Sequence, residues 1–587
     1  MFAPLVSLRA ARARVAWALI AVGLIFNSSS SHSQTINVNF GSRSGSTPAV
    51  PAGLFSIGLG GATVNQRGPL GTLTAAGLDR TRIWIPLQQI YANKNNPNFS
   101  YLDGGLETMR TAGLHPLAVI YDTPAWLASN PCYPPSDAWQ WGQIAAEVVA
   151  HLDEKFPGLI QDYEIWNEPE LAASLCISNA TTRLRTYLSM FAEAAAAMHK
   201  QADADGQTIR TGGPVISQLS LAPTWIPALL NNSYTAPYVD FVSFHLYLTG
   251  QTNIDEGMNW SQLYAITQST TGGLAAYYKK LEALVRSGHQ PQAASTPIYI
   301  TEYNDNWAYA VECCRNNPTY GPLWNSVAIA DLLNVVYSGA KAVPSQLGYF
   351  NATGSYFCIL GRWNETMNCD TSATDPYPQY YAFKLFASPD YLDLQAGGHM
   401  AASVSPGSTT SGLTATAFYT STADNVVIIN PTSTTYNSVT VNLTNAGLSS
   451  PSGTEYLLNR SNDQISAWAV KVASSSSEYS AKVYVPAYST VALSVKGSSA
   501  AEAPKSVLNV STLSGTHPLA VSISSSESQG GGSAIVGRTI SFGDGAWSSW
   551  TETLNHTYTK PGNYFVGLTI KNAAGQYSST GTTITVR

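Results

Sequence analysis

The chain has 587 residues, more than a single hydrophobic core organises, so several domains are expected. Charged residues make up only 11%, with a formal net charge of −6; this leaves no basic patch for nucleic acid and no like-charge run of the kind that stays disordered. Tyr, Trp, Ser, Thr and Gly are abundant instead, a mix suited to neutral, hydroxyl-rich ligands.

The first 33 residues have the pattern of a secretory signal peptide. Arg9, Arg12 and Arg14 precede a twelve-residue apolar run, 15–26, and small polar residues follow, with a cut expected near Ser33. The run is shorter than the roughly 20 residues a membrane span needs. A secreted, extracellular protein with no membrane attachment after cleavage is therefore expected. The six cysteines, Cys132, Cys176, Cys313, Cys314, Cys358 and Cys369, are even in number and contain no C-x-x-C pair. That favours disulfides over zinc. Cys358 could close a small loop with Cys369, and Cys132 could clip a neighbouring loop through Cys176; the sequence leaves the pairing open.

From residue 54 to about 389, short apolar runs alternate with helical patterns. Eight strand candidates fall at 54–60, 81–86, 116–121, 162–166, 209–214, 239–246, 297–302 and 346–351. Most are continuous apolar runs, as in parallel strands covered on both faces. Helical spacing recurs at 137–156, 183–202 and 323–338. Eight such units predict a (β/α)8 barrel, assigned to 34–390. Beyond it, alternating segments separated by turn residues predict a β-sandwich at 391–496, which the early strand 36–40 is free to join. A small-residue linker at 497–504 leads to a β-rich unit at 505–587.

Strand four ends in YEIWNEPE (163–170) and strand seven in IYITEYN (298–304), so both deliver a glutamate to the C-terminal mouth of the barrel. Two carboxyl groups flanking a gap are what glycosidic bond cleavage requires. The pair of motifs resembles the retaining clan A (β/α)8 glycoside hydrolases. Within that clan, IWNEP and ITEYN are most similar to glycoside hydrolase family 39, which includes β-xylosidases and iduronidases.

The resemblance implies Glu168 as acid/base and Glu302 as nucleophile, with no cofactor or metal. It further implies Asn167 on the sugar 2-hydroxyl, Tyr247 holding the nucleophile, His245 beside Glu168, and Arg82, at the end of strand two, pairing with Glu302. A charged Glu302 is expected to keep Glu168 protonated, and a carboxyl separation of about 5 Å is expected for retention, against about 7–9 Å for inversion. Glu164 and Glu170 are expected to point elsewhere, and Glu312 to be structural or on the rim. Among aromatic residues near the strand ends (Trp126, Trp139, Trp141, Trp166, Tyr303, Trp307 and Trp363), Trp126 and Trp307 are the subsite candidates.

The substrate expected is a poly- or oligosaccharide, cleaved by a β-glycosidase or β-xylosidase-like enzyme. The alternatives are an endo-acting β-glucanase or xylanase, or a non-catalytic carbohydrate-binding protein. The sequence does not set the oligomeric state. The last unit, with ISFGDG (540–545) and a strand after His556, resembles a PKD domain, an Ig-like β-sandwich. Its Gly-Asp-Gly reads as a tight turn, one carboxylate on Asp544 being far short of a calcium shell. A spacer or a weak polysaccharide contact is the expected role.

Overall fold

The computed structural model describes residues 34–587 except 42–46, 61–64, 249–257, 289–294, 308–313, 315–316, 354–357, 361–375, 407–411, 421, 447–450, 460–463, 476–477, 498–503, 531–533, 545, 550–551 and 574–576. The expected signal segment, most of the linker, Glu312, Cys313, Trp363 and Cys369 lie outside the described residues.

Eight parallel strands close into a barrel: β1 (Phe55–Gly58), β2 (Arg80–Pro86), β3 (His115–Tyr121), β4 (Asp162–Ile165), β5 (Arg210–Ile216), β6 (Phe241–Tyr247), β7 (Ile298–Asn304) and β8 (Gln346–Tyr349). Each falls on a predicted run. Wrapping helices cover the outer face, and the inner face is filled too: Leu117, Val119, Phe241 and Tyr299 form a cluster of their own. The Phe241 and Tyr299 rings stack at 4.4 Å. The barrel interior is thus a packed core rather than a pore, as in other (β/α)8 folds.

The helices follow their caps. Ala138–Lys155 starts where the Asp137 carboxylate accepts the Gln140 N–H, and Ala180–Ala204 where Asn179 accepts from Thr182. These two helices pack closely because position 142 is glycine; a Cβ there would lie 2.7 Å from the Glu193 carbonyl oxygen.

Two further sheets form the sandwich. One orders its strands 403–406, 34–39, 436–444, 478–485 and 472–474; the other contains 466–470, 451–458, 489–497, 423–430, 414–419, 398–400 and 49–50. The strand at 34–39, within the span assigned to the barrel, thus pairs in the sandwich, and its pairing with 436–444 is parallel in an otherwise antiparallel unit. Met400, Phe418, Val427 and Ile429 of the sandwich share one buried cluster with Phe386 of the barrel, so the two units form a continuous core.

The C-terminal unit has a three-stranded and a five-stranded sheet around Val521, Ile540, Val566 and Ile584. Gly543 takes φ 81° in the predicted turn and lies against the Phe565 backbone, where a Cβ would meet it at 2.6 Å. Asp544 is exposed, its carboxylate accepting from Ala546 N–H and lying 2.7 Å from His556 Nε2.

The unit packs against the rest of the chain. Tyr577 stacks on Tyr391 at 5.6 Å and meets Tyr456 edge-on, Lys571 pairs with Asp390, and Ala467 N–H donates to Ser579 Oγ at 2.9 Å. Buried aromatic contacts and a shared ion pair fix the unit against barrel and sandwich.

Candidate active site

At the C-terminal mouth the strands converge on one hydrogen-bonded cluster. Its base is Glu164, fully buried on β4, and Arg82, 3% exposed on β2. Arg82 Nε donates to Glu164 Oε2 at 2.6 Å, Nη1 to Glu302 Oε1 at 2.7 Å and Nη2 to Asn167 Oδ1 at 2.9 Å. Thr301 donates to the other Glu164 oxygen at 2.8 Å. Arg82 is the third residue of its strand rather than the last, and it reaches the mouth from below because its side chain is long. Glu164, set aside in the sequence reading, instead anchors the arginine. Burial alone would lower the Arg82 pKa, but the charges of Glu164 and Glu302 outweigh it and raise it.

Glu302 is held from the other side by Tyr247, whose hydroxyl donates to Oε2 at 2.6 Å. Burial and then the Glu302 charge push the Tyr247 pKa far up, so the phenol keeps its proton and remains a donor. His245, one side-chain step back on β6, faces Glu302 directly in the register of β6 and β7, next to a bulge at Phe244/His245. Its Nδ1 lies 2.8 Å from Glu168 Oε1 and 3.5 Å from Glu302 Oε2. One oxygen of each carboxylate and a ring nitrogen of His245 all lie within 4.8 Å of one another.

Glu168 reaches this point through a strained turn. Trp166 and Glu168 have φ of 67° and 45°, and Val215 on β5 has φ of 56°. For β-branched Val215 that region costs on the order of 1–3 kcal/mol. The turned Val215 carbonyl accepts the Glu168 N–H at 3.1 Å. Glu170 is 1% exposed and accepts from Ser217 N–H, Ser217 Oγ–H and Gln218 N–H at 2.6, 3.0 and 2.9 Å. It therefore ties the loop after β5 to the loop carrying Glu168, a role the sequence reading did not give it.

The proton balance differs from expectation. Burial pushes Glu168 up, but the hydrogen bond and charge of His245 outweigh it, and its pKa lies below the usual value. Burial lowers His245, but Glu302 and Glu168 outweigh it and raise its pKa. The physical reason is one imidazole set between two carboxylates, an arrangement that favours the charged form of each group. The glutamate–histidine trio could in principle ligate a cation, but Arg82 already compensates Glu302 at 2.7 Å.

Of the eight sequence candidates, Glu168, Glu302, Asn167, His245, Tyr247 and Arg82 come together here. Trp126, in the loop after β3, is half-buried: its indole N–H donates to the Tyr91 carbonyl at 2.9 Å and Lys94 covers its ring at 4.8 Å. Trp307 follows the end of β7 and is 52% exposed. Trp141, Trp166 and Tyr303 are core residues, fully buried. Cys132 and Cys176 form a disulfide that clips the loops after β3 and β4; Cys314 and Cys358 each take part in a disulfide as well.

A closed eight-stranded parallel barrel presenting two carboxylates, an arginine and a tyrosine at its C-terminal mouth defines a (β/α)8 enzyme with the layout of a glycosidase. The sequence profile of glycosyl hydrolases family 39 matches residues 82–440, more than half of the chain, and a PKD domain profile matches 502–586. The chain belongs to glycosyl hydrolases family 39 and carries a PKD domain; it is a glycoside hydrolase acting on carbohydrate.

Similar solved structures include the family 39 enzyme of Xanthomonas axonopodis pv. citri, with 13% identity, 79% of this chain and 97% of that chain covered, and a TM-score of 0.55. A monomeric β-xylosidase of Caulobacter crescentus CB15 is 14% identical over 79% of this chain and 100% of that one, at a TM-score of 0.56. A bacterial orthologue of human α-L-iduronidase is 14% identical over 94% and 99%, at 0.58. At these identities the likeness is one of fold. No curated protein matches the chain.

Proposed function

We propose that the protein is a secreted, retaining β-glycosidase that cleaves neutral poly- or oligosaccharides by double displacement, with Glu302 as nucleophile and Glu168 as acid/base. The observation that carries this reading is the close approach of the two carboxylates, with one oxygen of each within 4.8 Å of the other. Retaining sites hold their carboxyl groups about 5–5.5 Å apart, too close to seat a water molecule on the far face of the sugar.

In the first step Glu302 attacks the anomeric carbon while the bond to the leaving oxygen breaks. The proton shared between His245 Nδ1 and Glu168 Oε1 passes by way of Glu168 to that oxygen. In the second step Glu168, now a carboxylate, takes a proton from water as the water oxygen attacks the same carbon. Glu302 leaves as carboxylate and the proton is restored to the Glu168–His245 pair. Asn167 accepts from Arg82 through Oδ1, and its amide nitrogen remains to donate to the sugar 2-hydroxyl, a contact that tightens in the transition state.

Among the described residues at the mouth, Arg82 and His245 are both committed to the protein's own carboxylates, which favours an uncharged sugar. A β-xylosidase among the structural neighbours fits that preference. Secretion is supported by the N-terminal pattern and by the Cys132–Cys176 disulfide.

The test is hydrolysis of a panel of aryl glycosides and polysaccharides, with the anomeric configuration of the first product followed by NMR and Glu168→Ala as control. Retained configuration is expected. An inverted first product removes double displacement. Equal inertness of wild type and control across the panel favours a binding protein.

A further inference from the structure

We propose that the cleft between the accessory sandwich and the PKD domain is a second, non-catalytic site that binds a neutral polysaccharide chain. The cleft has a volume of about 1030 Å³. One wall is the edge strand Ser466–Val470 of the sandwich; the other is formed by Gly562–Asn572 and Tyr577–Val586 of the PKD unit. Among the described residues that line it, none is Asp, Glu, Lys, Arg or His, so its described walls present no charge to an ionic ligand.

What the cleft offers is planar aromatic surface beside amides and hydroxyls. Tyr484 is 41% and Phe565 45% exposed, and Trp468 lies half-buried on the sandwich wall. Asn317, Asn459 and Gln464 line it alongside them. Sugar rings present C–H faces that pack on aromatic planes and a belt of hydroxyls that pairs with amides.

The walls are fixed relative to each other. The Tyr391, Tyr456 and Tyr577 rings, the Lys571–Asp390 pair and the Ala467–Ser579 hydrogen bond hold the two units together. A preformed cleft avoids the ordering cost that weakens binding by flexible surfaces.

Asn317, Thr319 and Tyr320, which follow in the chain after the strand that carries Glu302, line the cleft as well. The glycosidase reading supplies only the choice of polymers to try; the site and its test do not require turnover.

The test uses the full chain carrying Glu302→Gln, so that polymer stays intact, in affinity electrophoresis and calorimetry with xylan, mixed-linkage β-glucan, galactomannan and, as an anionic control, polygalacturonate. Tyr484→Ala, Phe565→Ala and Thr580→Arg are then added singly; the first two remove exposed rings and the third places a charged chain in the cleft. Binding of at least one neutral polymer is expected, weakened roughly 5- to 10-fold by each lost ring and abolished by Thr580→Arg. In the otherwise wild-type enzyme the same changes should raise KM on that polymer while leaving aryl glycoside kinetics unchanged. Equal binding by parent and all three variants overturns the proposal, as does binding of no neutral polymer. Capture of a protein ligand through these residues, without polymer binding, overturns it too. Polymer binding that depends on the cleft in a protein without hydrolytic activity would leave this site standing and count against the barrel reading alone.

Discussion

Replacing Arg82 with Met removes the one cation that touches both Glu164 and Glu302. The two carboxylates, 0% and 8% exposed at the side chain, are then left without their salt-bridge partner. Removing one partner of a buried pair costs about 3–5 kcal/mol, chiefly because the remaining charge stays buried. At roughly 2 °C per kcal/mol, the low end for large domains, the melting temperature should fall by about 6–10 °C. Glu164→Gln alone keeps the shape and the Arg82–Glu302 pair, and loses about 1.5–3 kcal/mol of charge-assisted bonding. Arg82→Met combined with Glu164→Gln should be less damaging than the sum of the two, because the second change removes an anion the first stranded. Thermal unfolding of the four proteins by near-UV circular dichroism closes the cycle. Arg82→Met within about 1 kcal/mol of wild type, or strict additivity in the double variant, would refute the reasoning.

Glu168→Gln should lower kcat/KM on unactivated oligosaccharides by roughly 10²–10⁴-fold, the size of a lost general acid. On dinitrophenyl glycosides, whose leaving group needs no proton, the loss should stay under about tenfold; equal losses on both would remove the acid role. For His245, burial lowers the pKa but Glu302 and Glu168 outweigh it, so the folded value lies above the ordinary ~6.5. The resulting stability is fully present below that ordinary value and lost as pH rises through the raised one. His245→Gln should flatten melting temperature against pH across that window, and an unchanged slope would contradict the assignment. Cys132 and Cys176 close a separation of 44 residues, for which chain-entropy arguments give ~4 kcal/mol. The double serine variant should lose a comparable increment in urea unfolding, whereas a loss near zero would show that the loops after β3 and β4 are pinned without it.

The barrel was legible because each of its strands is covered on both faces and so appears as an unbroken apolar run, at most a few residues adrift at its ends. Glu168 and Glu302 were legible because each ends such a run. Glu164 was hidden by its own motif: it stands inside the apolar stretch of YEIW and was dismissed as a flank of Glu168. The available signal was chemical, since an acid within a buried strand requires a cation, and Arg82 on another strand supplies it. The surroundings of Trp126 were not legible: an aromatic residue after a strand end suggests a subsite, and nothing in the sequence places Lys94 over its ring. The docking of the PKD unit rests on Tyr391, Tyr456 and Tyr577, a triad scattered along the chain with no pattern to join them.

Under the proposed double displacement, Glu164 also matters for what happens between the two chemical steps. When Glu302 becomes a glycosyl ester its charge disappears, and an arginine 3% exposed would be left as an unpaired buried cation. The Nε–Glu164 bond at 2.6 Å prevents that, because it lies on the other edge of the guanidinium and does not depend on Glu302. The same change removes the anion that lies 3.5 Å from His245 Nδ1, so the imidazole holds a proton less strongly just when Glu168 must act as a base. The nucleophile's charge thus controls both neighbours: present, it draws a proton toward the Glu168–His245 pair; absent, it releases that hold while Arg82 remains compensated from below. A site built with Arg82 alone would perform the first step and then carry a stranded charge into the second.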